Sequence, residues 1–595
     1  MAFQKLIYGI DAMSDAVKRA EEFLTREKEF RLGELLTEAF HPKTNTLSQT
    51  ATVDLPAAIR MLQSVDDEIP PAMEKVLKQD SFGRLVDAFD EAIRTGKKIY
   101  FTGCGATGRL SILLEAAWRR FWRQVARVRP ELGKMEGRVF SIMAGGDFAL
   151  IKSVEGYEDF PDFGRYQLRQ MGIEQGDVVV AITEGGETSF VIGTAWEGLD
   201  AGAKVFFVYN NPTELLCRHV KRSREVIEES RITKLDLTTG PMAITGSTRM
   251  QATTAELFIV ASALEIALVR VSRASRPRSR ARCPRHFKQR EPGDYLQSLS
   301  ELIKQLSSNE AVDMLAAATE FEEYIYRRHG LVTYFADEFL LDVLTDTTER
   351  SPTFMLPPFR KQDDNLSPRS WAFVKDPFRS TKDAWWELLQ REPRGLDWGR
   401  DVYEKMNAPE NLKARPPRLD NTEIHKFMIG NEPDSSRMDA ADSALVVVGV
   451  GNEDYLIRAA LEKFGPQYKK TAAIIIGPAD GAGATDKTFC FPCTLADSPL
   501  RLWHHLAVKL VLNTLSTATM VRMDRVIGNA MVWLSPSNKK LIDRGSRLIA
   551  NQTSCSYKQA CIALHEALEE VISGQQQGKE VPSPVALAIE RIKSG

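Results

Sequence analysis

Three short stretches, far apart in the chain, concentrate glycine with hydroxyl and carboxyl side chains: Gly103-Cys-Gly-Ala-Thr-Gly108, Thr183-Glu-Gly-Gly-Glu-Thr-Ser189 and Thr238-Thr-Gly-Pro-Met-Ala-Ile-Thr-Gly-Ser-Thr-Arg-Met250. In the first, Gly103, Gly105 and Gly108 form a GxGxxG between an apolar run and a Leu/Ile-rich segment that begins at Arg109. A strand, tight turn and helix in that order make an anion seat, because glycine lets backbone N–H groups approach a phosphate and the helix N-terminus adds partial positive charge. A sugar phosphate or a nucleotide suits such a seat, although a plain tight turn has the same glycine pattern. Gly105 and Gly108 give the close backbone approach. Thr107, Thr188, Ser189, Ser247 and Thr248 supply hydroxyl donors, enough together to surround a phosphate and several sugar hydroxyls. The second turn also carries Glu184 and Glu187. Carboxylates beside a phosphate are unfavourable unless they do something else. Either they point to solvent, or one of them contacts sugar hydroxyls or takes part in acid–base work.

The elements that must position these turns follow from the apolar pattern. Strand-like runs fall at 98–102, 138–144, 177–183, 204–209 and 234–237, with helix-like segments between them. That alternation predicts a parallel sheet covered on both faces, with ligands at the carboxyl ends of its strands, where all three turns lie. The second half repeats the plan, with strands expected at 330–336, 353–356, 443–450, 472–477 and 487–492. Its turns are poorer in glycine. Asp337 and Glu338 after the first of these strands would repel a phosphate, so the second sheet has lost the seat, binds something else, or carries a solvated acidic turn there. The expected organisation is α/β: a helical N-terminal arm (1–85), a first doubly wound domain (86–270), a basic linker (271–295), a second such domain (296–524) with an insertion at about 360–440, and a C-terminal helical cap (525–595).

Composition limits the function classes. At 595 residues the chain is too long for one core. With 43% hydrophobic and 27% charged residues and a formal net charge of -2, nothing global draws it to nucleic acid or to an anionic membrane. No signal peptide and no span of about 18 apolar residues is read, and seven scattered cysteines argue against a disulfide framework, so a cytoplasmic protein without membrane contact is expected. The single CxxC, Cys490-Phe-Pro-Cys493, has apolar flanks and reads as the end of a strand, so neither a metal nor a cofactor is expected. The basic run Arg270–Arg290 lacks a folded nucleic-acid motif and reads as a solvated linker or an acidic-surface contact. Trp371, Trp385, Trp386 and Trp398, in the insertion, read as packing residues.

The turn at 103–109, the segment Ala144-Gly-Gly-Asp-Phe-Ala-Leu-Ile-Lys-Ser-Val-Glu-Gly-Tyr-Glu-Asp159 and Ile244-Thr-Gly-Ser-Thr-Arg-Met250 resemble the sugar isomerase (SIS) domains of N-acetylmuramic acid 6-phosphate etherase and glucokinase regulatory protein. The loop Thr37-Glu-Ala-Phe-His-Pro-Lys-Thr-Asn45 is similar to the etherase N-terminal segment, and the stretches 509–517 and 529–540 to the closing helices of both. The resemblance implies two flavodoxin-like SIS domains, a layout closer to the regulatory protein because the etherase has one SIS domain per chain. It also implies a hexose or amino-sugar phosphate as ligand, held by the residues matching Cys104–Gly108, Gly185–Ser189, Ser247 and Thr248, with Glu349 and Lys509 reaching in from the second domain. In the etherase one acid–base glutamate matches Glu158, which is present. The other matches Ala117. Glu115 lies two residues away, a rotation of roughly 200° around a helix, and cannot replace it. Met242 and Gln251 stand where the family usually has Glu and Lys. The resulting expectation is a regulatory or sensing phosphosugar-binding protein that changes its contacts with a protein partner. The alternative is an amino-sugar phosphate lyase or isomerase that uses Glu158 with Glu184 or Glu187.

Overall fold

The structure is a computed structural model that describes residues 15–154, 156–274, 289–478, 487–576 and 582–594. In the first half, strands β1 (Ile99–Gly103), β2 (Val139–Met143), β3 (Val178–Thr183), β4 (Lys204–Tyr209) and β5 (Ile232–Asp236) form one sheet in the order β2-β1-β3-β4-β5. All of its pairings are parallel; Ile99, for example, lies between Val139 and Val178. β3 is buried along its whole length, as its unbroken Val-Val-Val-Ala-Ile-Thr run demands of a strand covered on both faces. The second half builds a second parallel sheet from β6 (Val332–Phe335), β7 (Ala372–Lys375), β8 (Ala444–Val450), β9 (Lys470–Ile476) and β10 (Thr488–Phe491), in the order β10-β9-β8-β6-β7. Numbered from its own first strand this is the same 2-1-3-4-5 order, so the two halves share a doubly wound topology.

Two expectations are corrected. The stretch 353–356 is not a strand: Thr353 and Phe354 end the helix Leu340–Phe354, which Met355 closes with a left-handed φ of 54°. The apolar run is the last turn of a helix, and the strand in question is β7, inside the segment read as an insertion. The reading that found no long apolar span missed the helix Gln251–Ala274. Its stretch Gln251–Val271 is long and apolar enough to cross a membrane, yet that stretch is buried inside the molecule. It packs against the helices Asp80–Thr95 and Leu502–Arg522, which explains why it is apolar on every side.

The N-terminal part and the cap converge on the first sheet's carboxyl edge. Short 3₁₀ turns at Leu36–Glu38 and Pro42–Thr44 take the place of the expected loop. Thr37 N–H donates to Asn211 Oδ1, and its carbonyl accepts from Gly246 N–H. After a small hairpin (Val526–Ile527 with Ala530–Met531), the cap helices are Lys539–Thr553, Tyr557–Gln576 and Pro584–Ser594. Ala530 bridges to Thr245 in the third turn. The helix Asp15–Arg26 packs on Tyr557–Gln576. Trp385 and Trp398 are buried, with indole N–H groups donating to Phe427 O and Gln170 Oε1. The centre of the basic run, 275–288, lies outside the described residues.

Candidate functional site

The helix Gly105–Ala126 begins directly at the end of β1, with Cys104 as its N-cap. The Thr107 hydroxyl donates to Cys104 O at 2.9 Å and accepts from Cys104 N at 3.0 Å, so it closes the turn from within. Gly108 is there for packing: a Cβ at that position would lie 2.5 Å from Met143 Cγ. Gly105 differs, with a φ of +55° and open space in front of its Cα, which leaves its backbone face free for a ligand.

The turn after β3 is lined by its own carboxylates, and neither points to solvent. Glu187 is 2% exposed and Glu184 8%. The Glu187 carboxylate folds back over Gly185, accepts the Thr188 hydroxyl at 3.1 Å and pairs with Lys540 Nζ at 2.5 Å. Arg222, stacked over Phe30, donates its Nε–H to Glu187 O. Burial works to raise the pKa of Glu187, but Lys540 and Arg222 hold it below the usual carboxylate value. Burial works to lower Lys540, and Glu187 and Glu158 beside it keep it above the ordinary lysine value. Ser189 opens the next helix, Ser189–Asp200, and with Glu187, Thr188, Arg222 and Lys540 lines a small cavity of about 10 Å³.

Glu158 reaches this cavity from the 3₁₀ turn Tyr157–Asp159. One of its oxygens accepts from Asn538 Nδ2 and the other from the Cys104 thiol at 3.5 Å. Burial and the Glu158 charge push Cys104 well above an ordinary thiol, which keeps it protonated. Burial, then the Glu158 charge, raises Asp159 to about 7. Glu184 is raised to about 7 by burial, with Glu187 and Glu349 adding to the shift and Lys540 opposing it. Its carboxyl accepts from the Thr253 hydroxyl at 3.5 Å.

Thr253 also lines a second cavity, of about 50 Å³, where the helices from Gly105, Gln251, Leu340 and Leu502 meet. Glu349 and Lys509 lie here with Arg109. Lys509 Nζ donates to Arg249 O at 2.6 Å, and burial depresses its pKa to about 8. Glu349 is raised by burial against the attraction of Arg109, Arg249 and Lys509. Arg249 ties the two domains together through Asp346, Ser516 and Thr517. Ser247 Oγ is buried with no hydrogen-bond partner among the described residues, and both carboxyl oxygens of Glu256 share that state. Thr248 accepts at its carbonyl from the Thr253 hydroxyl.

The residues singled out from sequence therefore fall into two groups, Glu158, Glu187, Thr188 and Ser189 on one side and Glu349 and Lys509 on the other, with Glu184 between them, joined to the second by Thr253, which sequence did not single out. Lys540, Arg222 and Asn538 were not anticipated as site residues: Asn538 and Lys540 lie in the stretch 529–540 that carries the resemblance, but all three reach the turn from elements remote in the chain. Glu115 takes no part. It is buried on the opposite side of its helix against Arg119, Arg391, Arg394 and Ser141. Among the described residues no group of His, Cys, Asp or Glu is arranged to hold a metal.

Paired parallel α/β domains with glycine-rich turns at the first sheet's carboxyl edge define the class as the SIS fold. Residues 83–197 match the family model described as the glucokinase regulatory protein N-terminal SIS domain. N-acetylmuramic acid 6-phosphate etherase of Pectobacterium atrosepticum is 28% identical over 229 residues, 38% of this chain and 67% of that protein. The etherase of Brucella anthropi is 29% identical over 242 residues, 41% and 70% of the respective lengths. A solved C-terminal domain of glucosamine-fructose-6-phosphate aminotransferase from Francisella tularensis overlaps 77% of this chain and 94% of its own, with 11% identity and a TM-score of 0.42. The chain thus resembles the SIS-domain family of glucokinase regulatory protein and N-acetylmuramic acid 6-phosphate etherase.

Proposed function

We propose that the first-domain site binds a hexose or amino-sugar phosphate and performs acid–base chemistry on it, as an elimination or an aldose–ketose isomerisation. The observation that carries this reading is Glu184, a buried carboxyl on the turn after β3 that accepts the Thr253 hydroxyl, is raised to about 7, and acts by its charge on Cys104, the thiol that donates to Glu158. Both reactions need one group to take the proton beside the carbonyl-equivalent carbon and another to move a proton at oxygen. In an elimination Glu158 takes the carbon-bound proton while Glu184, about half protonated at pH 7 and more so below it, gives its proton to the departing ether oxygen. Glu184 comes from the β3 turn, and so supplies from another element the carboxyl that Ala117 does not. Glu187, paired with Lys540 and held below the usual carboxylate value where Glu184 is raised, is not the proton donor. The relatives named as etherases support the same reading.

The test is incubation with N-acetylmuramic acid 6-phosphate and assay of lactate, then with hexose 6-phosphates and assay of ketose. Turnover of one class, lost in Glu158→Gln, is expected. The absence of turnover with every sugar phosphate that raises the melting temperature would leave a second reading, a phosphosugar sensor acting on a protein partner. Ala117 is the observation that favours that reading.

A further inference from the structure

The Glu187 carboxylate lies flat on the turn that is to receive the phosphate. A Cβ built on Gly185 would sit 2.9 Å from its carboxyl carbon and 3.0 Å from each of its oxygens. It takes the Thr188 hydroxyl at 3.1 Å and the Lys540 ammonium at 2.5 Å. The cavity between Lys540, Glu158 and Ser189 is about 10 Å³, room for about one water and not for a phosphate. A phosphate held by the Gly185 backbone and Thr188 needs the same volume and the same donors, and two anions cannot share them. Arg222 is fixed by the backbone carbonyls of Glu187 and Glu29. Lys540, by contrast, touches the turn only through the carboxylate that would have to leave.

We propose that Lys540, carried by the helical cap, is a binding residue of the first-domain site, and that Glu187 competes with the incoming phosphate for it. The proposal rests on the phosphosugar reading above. Binding then exchanges one partner of Lys540 for another: the carboxylate swings off Gly185, the phosphate takes the turn, and the cap stays tied to the turn through the same ammonium. The competition lowers affinity for any singly charged or small anion and favours a dianionic phosphate ester, whose sugar gains further contacts.

Calorimetric titration of the full-length protein with glucosamine 6-phosphate, fructose 6-phosphate and inorganic phosphate tests this in four proteins: the natural chain, Glu187→Gln, Lys540→Met and Ser247→Ala. Glu187→Gln is expected to bind at least about tenfold tighter than the natural chain, and Lys540→Met at least about tenfold weaker. Glu187→Gln keeps the size and the Thr188 contact of the natural side chain, so its result decides even where Lys540→Met folds poorly. Unchanged or weaker binding by Glu187→Gln, with binding lost in Ser247→Ala, overturns the competition and leaves the phosphosugar reading standing. If neither the natural chain nor Glu187→Gln binds any of the three ligands, the phosphosugar reading itself falls.

Discussion

At the end of β3, Glu184 gives its backbone carbonyl to Asn210 N–H and turns its carboxyl toward Thr253. Burial, reinforced by the charges of Glu187 and Glu349, raises that carboxyl to about 7. A proton donor with this value is active below pH 7 and is lost above it. As the general acid of an elimination, it makes kcat/KM fall about tenfold per pH unit on the alkaline side. Glu184→Gln is expected to abolish that limb and to lower the rate about 100-fold or more. An unchanged pH profile in the variant would remove Glu184 from the reaction. At this scale the residue types in the three turns were legible, because glycine, serine and threonine beside a strand end carry a physical meaning on their own. The direction of a side chain was not. The Thr107 hydroxyl looks free in sequence and is used to close its own turn, while Glu187 finds its cation 353 positions downstream, at Lys540.

The helix Gly105–Ala126 does two jobs with two faces. Its N-terminus forms the seat, and Glu115, one face away, anchors the 391–394 loop of the second domain: Arg394 donates to both carboxylate oxygens at 2.6 and 2.9 Å, and Arg391 and Arg119 complete the pairing. Desolvation opposes the charge, but the three arginines hold it well below the usual carboxylate range. Removing Glu115 leaves Arg394 without its carboxylate, while Arg391 keeps Asp147 and Arg119 keeps Glu136. Glu115→Ala is therefore expected to cost about 3–5 kcal/mol, read as a lower urea midpoint, with Glu158-dependent chemistry kept in the fraction that stays folded. A change below about 1 kcal/mol would mean that Arg394 finds another partner. The rotation argument from sequence placed Glu115 away from the site, but its arginine partners belong to a loop near residue 390 that sequence spacing could not bring to it. The misplaced strand at 353–356 has a related cause. A threonine followed by three apolar residues cannot by itself distinguish a buried strand from the end of an amphipathic helix.

Across the whole molecule, one hydrophobic core runs through both sheets and into the cap, so buried charges in either domain act on a shared stability. Among the carboxyls that burial raises, Asp66, Asp159 and Glu184 reach about 7 and Glu453 about 8, each with help from a neighbouring carboxylate. Each binds its proton more tightly folded than unfolded. Its contribution is full below the unfolded value near 4 and is lost as pH climbs through 7 to 8, on the order of 3 kcal/mol per group before any relaxation. Glu38 and Glu115 go the other way. Their arginines hold them below the ordinary value despite burial, so their contribution is present above about pH 4 and lost only in acid. His565, lowered mainly by burial, opposes these acids below its unfolded value, a single group against several. The melting temperature should therefore peak near pH 5 and fall by several degrees toward pH 8. Asp66→Asn and Glu184→Gln should each flatten part of that fall. A melting temperature that rises between pH 5 and 8 would show that these carboxyls are ionised and paired in the folded chain, which would also deprive Glu184 of the proton its proposed role requires.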